Sequence, residues 1–306
     1  MVLARLKTLN AEHLQRWVQE AKIQSVTGNV LDRIPPLAMV NPRLFGVYIC
    51  CQGEKTYSAG DTGCIFPLMS TIKPFALLYL LEHFGTEKVL RWVGVEPSAA
   101  PFNSLEQLVS DGGYPRNPMI NSGAITLADK FPGEDGYSRS SLFYTWLNNL
   151  SGSELRLDAY ILDSVRCNTS NKNQAIAHYL HQVGRINDVH LSIDTYEQIC
   201  CLVGKVKDLA KLGKLLACES DAISSQHRRI VNAVMLTCGL YEASAEFAVK
   251  VGLPMKSGIG GGLVAIAPNQ GAIACYSPAL DSVGNPVAGL AFMETLSQQL
   301  QLTIFT

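Results

Sequence analysis

Phe66-Pro67-Leu68-Met69-Ser70-Thr71-Ile72-Lys73-Pro74-Phe75 is the stretch on which the reading of this chain turns. Proline lacks a backbone donor and breaks helix interiors, but it is tolerated in the first turn, where N–H groups have no intrahelical partner. Pro74 therefore predicts a helix that starts near Ser70. Side chains three apart share a helix face, which puts Ser70 and Lys73 within reach of each other at the positive end of the helix dipole. A serine hydroxyl is a weak nucleophile until a neighbouring base takes its proton. Lysine is such a base only when uncharged, so its pKa must fall well below about 10.4; burial and a positive helix end both push it down. The unpaired first-turn N–H groups are suited to hold an oxyanion. Taken alone, S-x-x-K also arises by chance wherever a helix opens on serine and carries lysine one turn on.

A second segment bears on the first. Lys256-Ser257-Gly258-Ile259-Gly260-Gly261-Gly262 precedes an apolar run and resembles the K-T-G element that accompanies S-x-x-K in penicillin-recognising serine enzymes. Its glycines would let a substrate approach the backbone, with the Ile259 N–H as a second oxyanion donor; a plain glycine-rich bend gives the same pattern. The two segments together favour acyl transfer on a β-lactamase-like fold.

Working outward, Phe45–Cys51 and Thr56–Ala59 read as a hairpin across Gln52-Gly53-Glu54-Lys55. Gly262–Ala267 and Ala272–Tyr276 read as another across Pro268-Asn269-Gln270-Gly271. Residues 11–25 and Pro286–Leu300 read as amphipathic helices, Gly28–Pro36 as a loop. Between the ends the periodicity is helical, at Phe75–Phe84, Asn121–Lys130, Ser140–Leu150, Asn173–Val183 and Lys205–Ala217. Strands at both chain ends with helices between them predict an α+β fold, an antiparallel sheet built from both termini plus a helical lobe. The expected organisation is a single domain over 1–306, with a sheet lobe of about 1–68 and 222–306 and a helical lobe of about 69–221.

Composition removes other classes. The 306 residues are 47% hydrophobic and 17% charged, with a formal net charge of −1, so no basic stripe suggests nucleic acid. The longest apolar run, Phe75–Leu81, is far below the ~18–20 residues of a membrane helix. The N-terminal residues carry no secretory apolar block, which makes the cytoplasm the expected location. Nine cysteines, an odd number without C-x-x-C spacing, read as free buried thiols. His178 and His181 share a helix face without an acidic partner, so no metal or other cofactor is expected. Asn121 and Asn173 read by themselves as helix-opening caps, and Tyr196 and Tyr241 as core tyrosines.

At these residues the chain resembles the glutaminase family of serine-dependent, β-lactamase-like amidohydrolases. The resemblance runs from about Gly28 to near the C-terminus. It is carried by Tyr57-Ser58-Ala59-Gly60-Asp61, the S-x-x-K-P at Ser70, Val93-Gly94-Val95-Glu96-Pro97-Ser98, Pro101-Phe102-Asn103-Ser104 and Asn117–Ile125. Cys238-Gly239-Leu240-Tyr241, Val251–Gly258 and Ser277-Pro278-Ala279-Leu280-Asp281 complete it. The resemblance implies hydrolysis of L-glutamine to L-glutamate and ammonia, by a Ser70 nucleophile with Lys73 as its base and Tyr241 passing a proton to the departing ammonia. It implies an oxyanion held by the N–H groups of Ser70 and Ile259. It further implies amino-acid binding by Asn121, Asn173 and Tyr196, and a homodimer or homotetramer.

Two departures stand out. Arg33 replaces the family's tyrosine before Ile34-Pro35, and Arg166 stands where the family carries a substrate-binding glutamate seven residues before Asn173, with Val165 there under a one-residue slip. Lesser ones are Lys172 for arginine, Ala245 for glycine and Pro286 for serine. A cation facing the substrate ammonium would weaken glutamine turnover or redirect it to another amide. The rival reading is thus a weak or inactive amino-acid-binding descendant, and a β-lactam hydrolase is a third.

Overall fold

The structure, a computed structural model, describes residues 5–168 and 171–305. β1 (Gly46–Cys51) and β2 (Thr56–Gly60) pair as an antiparallel hairpin. Three short strands, β3 (Phe66–Pro67), β4 (Arg156–Leu157) and β5 (Leu202–Gly204), make a separate small sheet in the order β3-β5-β4. Near the C-terminus, β6 (Met255–Ser257), β7 (Gly262–Ala267) and β8 (Gly271–Tyr276) join the first hairpin in an antiparallel sheet ordered β2-β1-β8-β7-β6. The seam between the chain ends is β1 against β8, with Val47 opposite Cys275 and Ile49 opposite Ile273.

Strand side chains alternate between faces, and here both faces are covered, so β7 and β8 are buried at every position. Val47, Ile49, Leu263, Ala265, Ile273 and Cys275 face Leu14, Trp17 and Phe292 of the helices Ala11–Ile23 and Val287–Leu300. Cys50, Val264, Ile266, Ala272, Ala274 and Tyr276 face Leu209 and Leu212 of the helix Val206–Ala217. That helix can lie close because Gly213 presents no side chain to the sheet: a Cβ there would come within 2.7 Å of the Ala272 Cβ.

The third layer is helical. At its centre lies Lys73–Phe84, whose first nine residues are buried, with the helices Asn121–Ala128 and Ser225–Cys238 against it. The helices Val189–Cys200 and Asn171–Gln182 close the layer around Asn121–Ala128. Phe66 stacks on Tyr276 with ring centres 4.4 Å apart, and Leu68 N donates to Leu202 O at 2.8 Å. The small sheet thereby fixes the start of the central helix against the edge of the main sheet; a stack of this kind contributes about 0.5–1.5 kcal/mol beyond burial.

The elements observed depart from sequence expectation in particular places. Within the expected loop Gly28–Pro36, Pro35 opens a one-turn helix, Pro35–Ala38, with proline at the position where its missing N–H costs nothing. The helices Val189–Cys200 and Ser225–Cys238 and the three-stranded small sheet are structural findings the periodicity did not single out.

Candidate active site

Ser70 sits in one turn of 3-10 helix, Met69–Ile72, and the α-helix itself begins at Lys73. The helix start is therefore tighter than expected, and the tightening matters. In 3-10 geometry side chains three apart eclipse one another, so Ser70 and Lys73 stack along the same line. The turn is entered through Met69, a non-glycine residue held at φ +47°, a conformation that costs on the order of 1–3 kcal/mol and persists where its surroundings enforce it. Ser70 itself is 7% exposed, opens into a cavity, and its hydroxyl makes no hydrogen bond of ordinary geometry among the described residues.

Lys73 is buried. Its Nζ donates to Met119 O at 3.0 Å and to Asn121 Oδ1 at 2.9 Å, and no described carboxylate forms an ion pair with it. Burial brings the ammonium down to about 8, against an opposing pull from Cys200. A neutral amine has two N–H bonds and one lone pair; two acceptors use the N–H bonds and leave the lone pair available for a proton. The acceptor Met119 O is held in place by Asn117, whose Oδ1 accepts from Met119 N at 2.9 Å while its Nδ2 donates to Glu96 O at 2.7 Å.

Asn121 is not a helix cap. The cap position is Ile120, and the Asn121 side chain points into the polar cluster, accepting from Lys73 Nζ and Tyr196 Oη (3.2 Å) and donating from Nδ2 to Asn173 Oδ1 (2.8 Å). Two donors on one oxygen fix the orientation of the amide. Asn173 is likewise inside its helix, which opens at Asn171. Tyr196 and Tyr241 are both buried, as core tyrosines are, but each turns its hydroxyl toward this cluster.

Tyr241 holds φ +57°, with its carbonyl accepting from Ser244 Oγ at 2.7 Å and its ring 4.9 Å from that of Phe102. Its hydroxyl makes no hydrogen bond of ordinary length and angle, yet the Ser70 and Ser257 hydroxyls are near enough to favour its ionised form. Burial outweighs them and lifts the phenol to about 12, so it stays protonated at neutral pH. Behind the ring, Lys256 Nζ lies 4.4 Å from the ring centre and donates to Gly239 O and Ser257 O. Burial, then repulsion from Lys73, holds Lys256 well below the ordinary lysine range.

Gly258 closes the arrangement. A Cβ on it would come within 2.8 Å of Leu68 O, 3.1 Å of Thr71 N and 3.2 Å of Ser70 N, so only glycine lets the β6 edge reach the Ser70 turn. The bend continues with Gly261 N donating to Gly258 O at 2.9 Å. Neither Ser70 N nor Ile259 N donates to an acceptor among the described residues, which leaves both amides available to a ligand.

The cavity beside Ser70 is lined by Arg33, Ile34, Met69, Phe102, Asn103, Asn121, Val165, Asn168, Asn173, Tyr196, Glu197, Cys200 and Ile259. Of the residues expected from sequence, Ser70, Asn121, Asn173, Tyr196 and Ile259 share this wall, while Lys73 and Tyr241 stand directly behind it. Arg33 is on the wall, but Arg166 is not: its guanidinium donates to the Asp194 carboxylate, and Val165 lines the cavity instead. The expected charge reversal at that wall is therefore absent. Sequence reasoning missed Glu197, although it shares a helix stripe with the apolar Ile193 and Cys200, a pattern that points a charged side chain at an interior. No cluster of three or more His, Cys, Asp or Glu placed for a metal ion occurs among the described residues, and none of their helices is long and apolar enough to cross a membrane.

Comparison with known proteins gives one consistent neighbourhood. The family model described as Glutaminase matches residues 28–305. A glutaminase of Synechocystis sp. is 43% identical over 300 residues, covering 97% of this chain and 92% of the relative. Among solved structures, a probable glutaminase, ybaS, superposes with a TM-score of 0.90 at 33% identity, covering 97% of this chain and 100% of that one. A covalent complex of the Bacillus subtilis glutaminase YbgJ with 5-oxo-L-norleucine, formed by reaction with 6-diazo-5-oxo-L-norleucine, superposes with a TM-score of 0.87 at 29% identity, covering 96% and 99%.

Proposed function

This chain belongs to the glutaminase family, and from that premise we propose how its cavity hydrolyses L-glutamine to L-glutamate and ammonia. Ser70 Oγ attacks the side-chain amide carbon while its proton passes to the lone pair of neutral Lys73. The carbonyl oxygen becomes an oxyanion held by the amides of Ser70 and Ile259, each donor of this kind being worth about 10²–10³ in rate. Tyr241 gives its proton to the amide nitrogen and ammonia leaves. The proton taken up by Lys73 returns to the Tyr241 phenolate, and a glutamyl ester remains on Ser70 beside a neutral lysine. Water, deprotonated through Lys73, cleaves the ester and restores the serine. Asn121, Asn173 and Tyr196 hold the amino-acid end.

The observation that carries the reading is a buried lysine with two neutral acceptors and no ion-paired carboxylate, one 3-10 turn from a cavity-facing serine. The covalent adduct named for the B. subtilis relative supports a nucleophile in that protein. The test is ammonia release from L-glutamine by the parent and by Ser70→Ala, with mass spectrometry after 6-diazo-5-oxo-L-norleucine. Activity and a stable mass increment in the parent, both absent from Ser70→Ala, are expected; a Ser70→Ala variant that keeps either would end the Ser-Lys assignment. Residence in the cytoplasm and assembly as a homodimer or homotetramer belong to the same proposal, and the assembly rests on the family resemblance. A monomer mass by light scattering would remove the assembly.

A further inference from the structure

We propose that Glu197 accepts the α-ammonium of the substrate, a specificity-determining carboxylate supplied from a different helix than the position of Arg166, where the family resemblance places one. The proposal rests on the amino-acid-binding role of this cavity. A free amino acid brings a cation into a largely buried pocket, and a buried ammonium is stable only when paired. Glu197 is the one acidic residue on the cavity wall among the described residues, and it is 6% exposed. It follows Tyr196 on the helix Val189–Cys200, so the hydroxyl bound to Asn121 and the carboxylate come from adjacent positions of one element. Burial raises the Tyr196 phenol and the Cys200 thiol, and the Glu197 charge adds to both, which places its negative field among residues that line the cavity. Arg166, meanwhile, is engaged by Asp194, one turn before Gln198 on the same helix. A carboxylate absent from one wall and supplied from another leaves a negative group facing the cavity while changing the element that delivers it.

The test compares L-glutamine with its des-amino analogue 4-carbamoylbutanoate, which has the same amide and carboxylate but no ammonium. In Glu197→Gln the KM for L-glutamine is expected to rise ~10–100-fold with a smaller change in kcat, the size of a lost charge-assisted hydrogen bond. Turnover of the des-amino analogue is expected to stay within about two-fold, so that the preference for the α-amino group collapses. Glu197→Asp, which keeps the charge and retracts it, should fall between the two, and it decides the matter if the glutamine variant does not fold. Calorimetry of L-glutamine binding to Ser70→Ala with and without Glu197→Gln reads the same contact without turnover. An unchanged glutamine KM and affinity, or an equal loss for both amides, overturns the proposal. A parent that releases no ammonia but binds glutamine through Glu197 would instead count against the hydrolytic mechanism alone.

Discussion

Asn121 Oδ1 lies 2.9 Å from Lys73 Nζ, so the residue assigned to substrate also holds the base. The same amide reaches Asn173 at 2.8 Å, and whatever displaces it is felt on both sides. This coupling sets the pH behaviour. Lys73 must be neutral to take the serine proton, and with its pKa brought down to about 8 the neutral fraction is about a tenth at pH 7 and rises as pH rises. The rate constant kcat/KM for glutamine should accordingly climb on a limb centred near pH 8. Asn121→Asp places a carboxylate on the ammonium, favours the charged form and should move that limb upward. A limb that stays put in Asn121→Asp would show that Lys73 is not the group titrating.

Tyr241 gives a different signature. Its phenol is held protonated by burial and its oxygen has no hydrogen-bond partner of ordinary geometry, so removing the oxygen leaves little unsatisfied. Tyr241→Phe should melt within a few degrees of the parent. Its kcat should fall by about 10²–10⁴, the usual span for a positioned proton donor, with KM little changed. A kcat within three-fold of the parent would remove Tyr241 from proton transfer.

Much of this was legible in the residues because local chemistry and global fold agree there. The β7–β8 turn is announced by Pro268-Asn269-Gln270-Gly271, and Asn269 does adopt φ +60°, a conformation asparagine tolerates. Pro74 marked the start of the central helix to within a few residues. What was illegible depends on partners distant in sequence. Val189–Cys200 buries Ser192, Thr195, Glu197 and Gln198 beside Tyr196, and such polar burial is satisfied only by contacts like Ser192 Oγ to Asp129 or Gln198 Oε1 to Ser140, which no periodicity encodes. The 3-10 turn at Ser70 is likewise set by the left-handed Met69 and by the strand edge across from it, not by the propensity of its own residues.

Gly258 tests how closely the two halves of the site must meet. All three near contacts of an added Cβ are backbone atoms, so no rotamer change can relieve them. Gly258→Ala should push the β6 edge, and with it the Ile259 amide, away from Ser70. Loss of one oxyanion donor predicts a kcat lower by about 10²–10³, with a destabilisation of about 1–3 kcal/mol from overpacking. Gly53→Ala is the control: its φ of +86° carries a backbone cost but nothing lies within 4 Å of the added atom, so kcat should not move. Equal kcat values for the two variants would mean that the strand edge contributes no donor.

Arg166 is the residue on which sequence and structure part most sharply. From sequence, a cation at this position repels the substrate ammonium, and Arg166→Glu should rescue glutamine binding. The structure gives the opposite expectation. The guanidinium is 44% exposed, its partner Asp194 is 34% exposed, and the side chain on the cavity wall is Val165. Exposed pairs of this kind are worth about 0–1 kcal/mol, so Arg166→Ala should cost little stability and leave kcat/KM within about three-fold. Arg166→Glu sets two carboxylates side by side, which should lower the melting temperature slightly at low salt and less at high salt, as screening removes the repulsion. A ten-fold fall in glutamine KM for Arg166→Glu, surviving 0.5 M salt, would show that position 166 does face the ammonium, and that the arginine there suppresses binding.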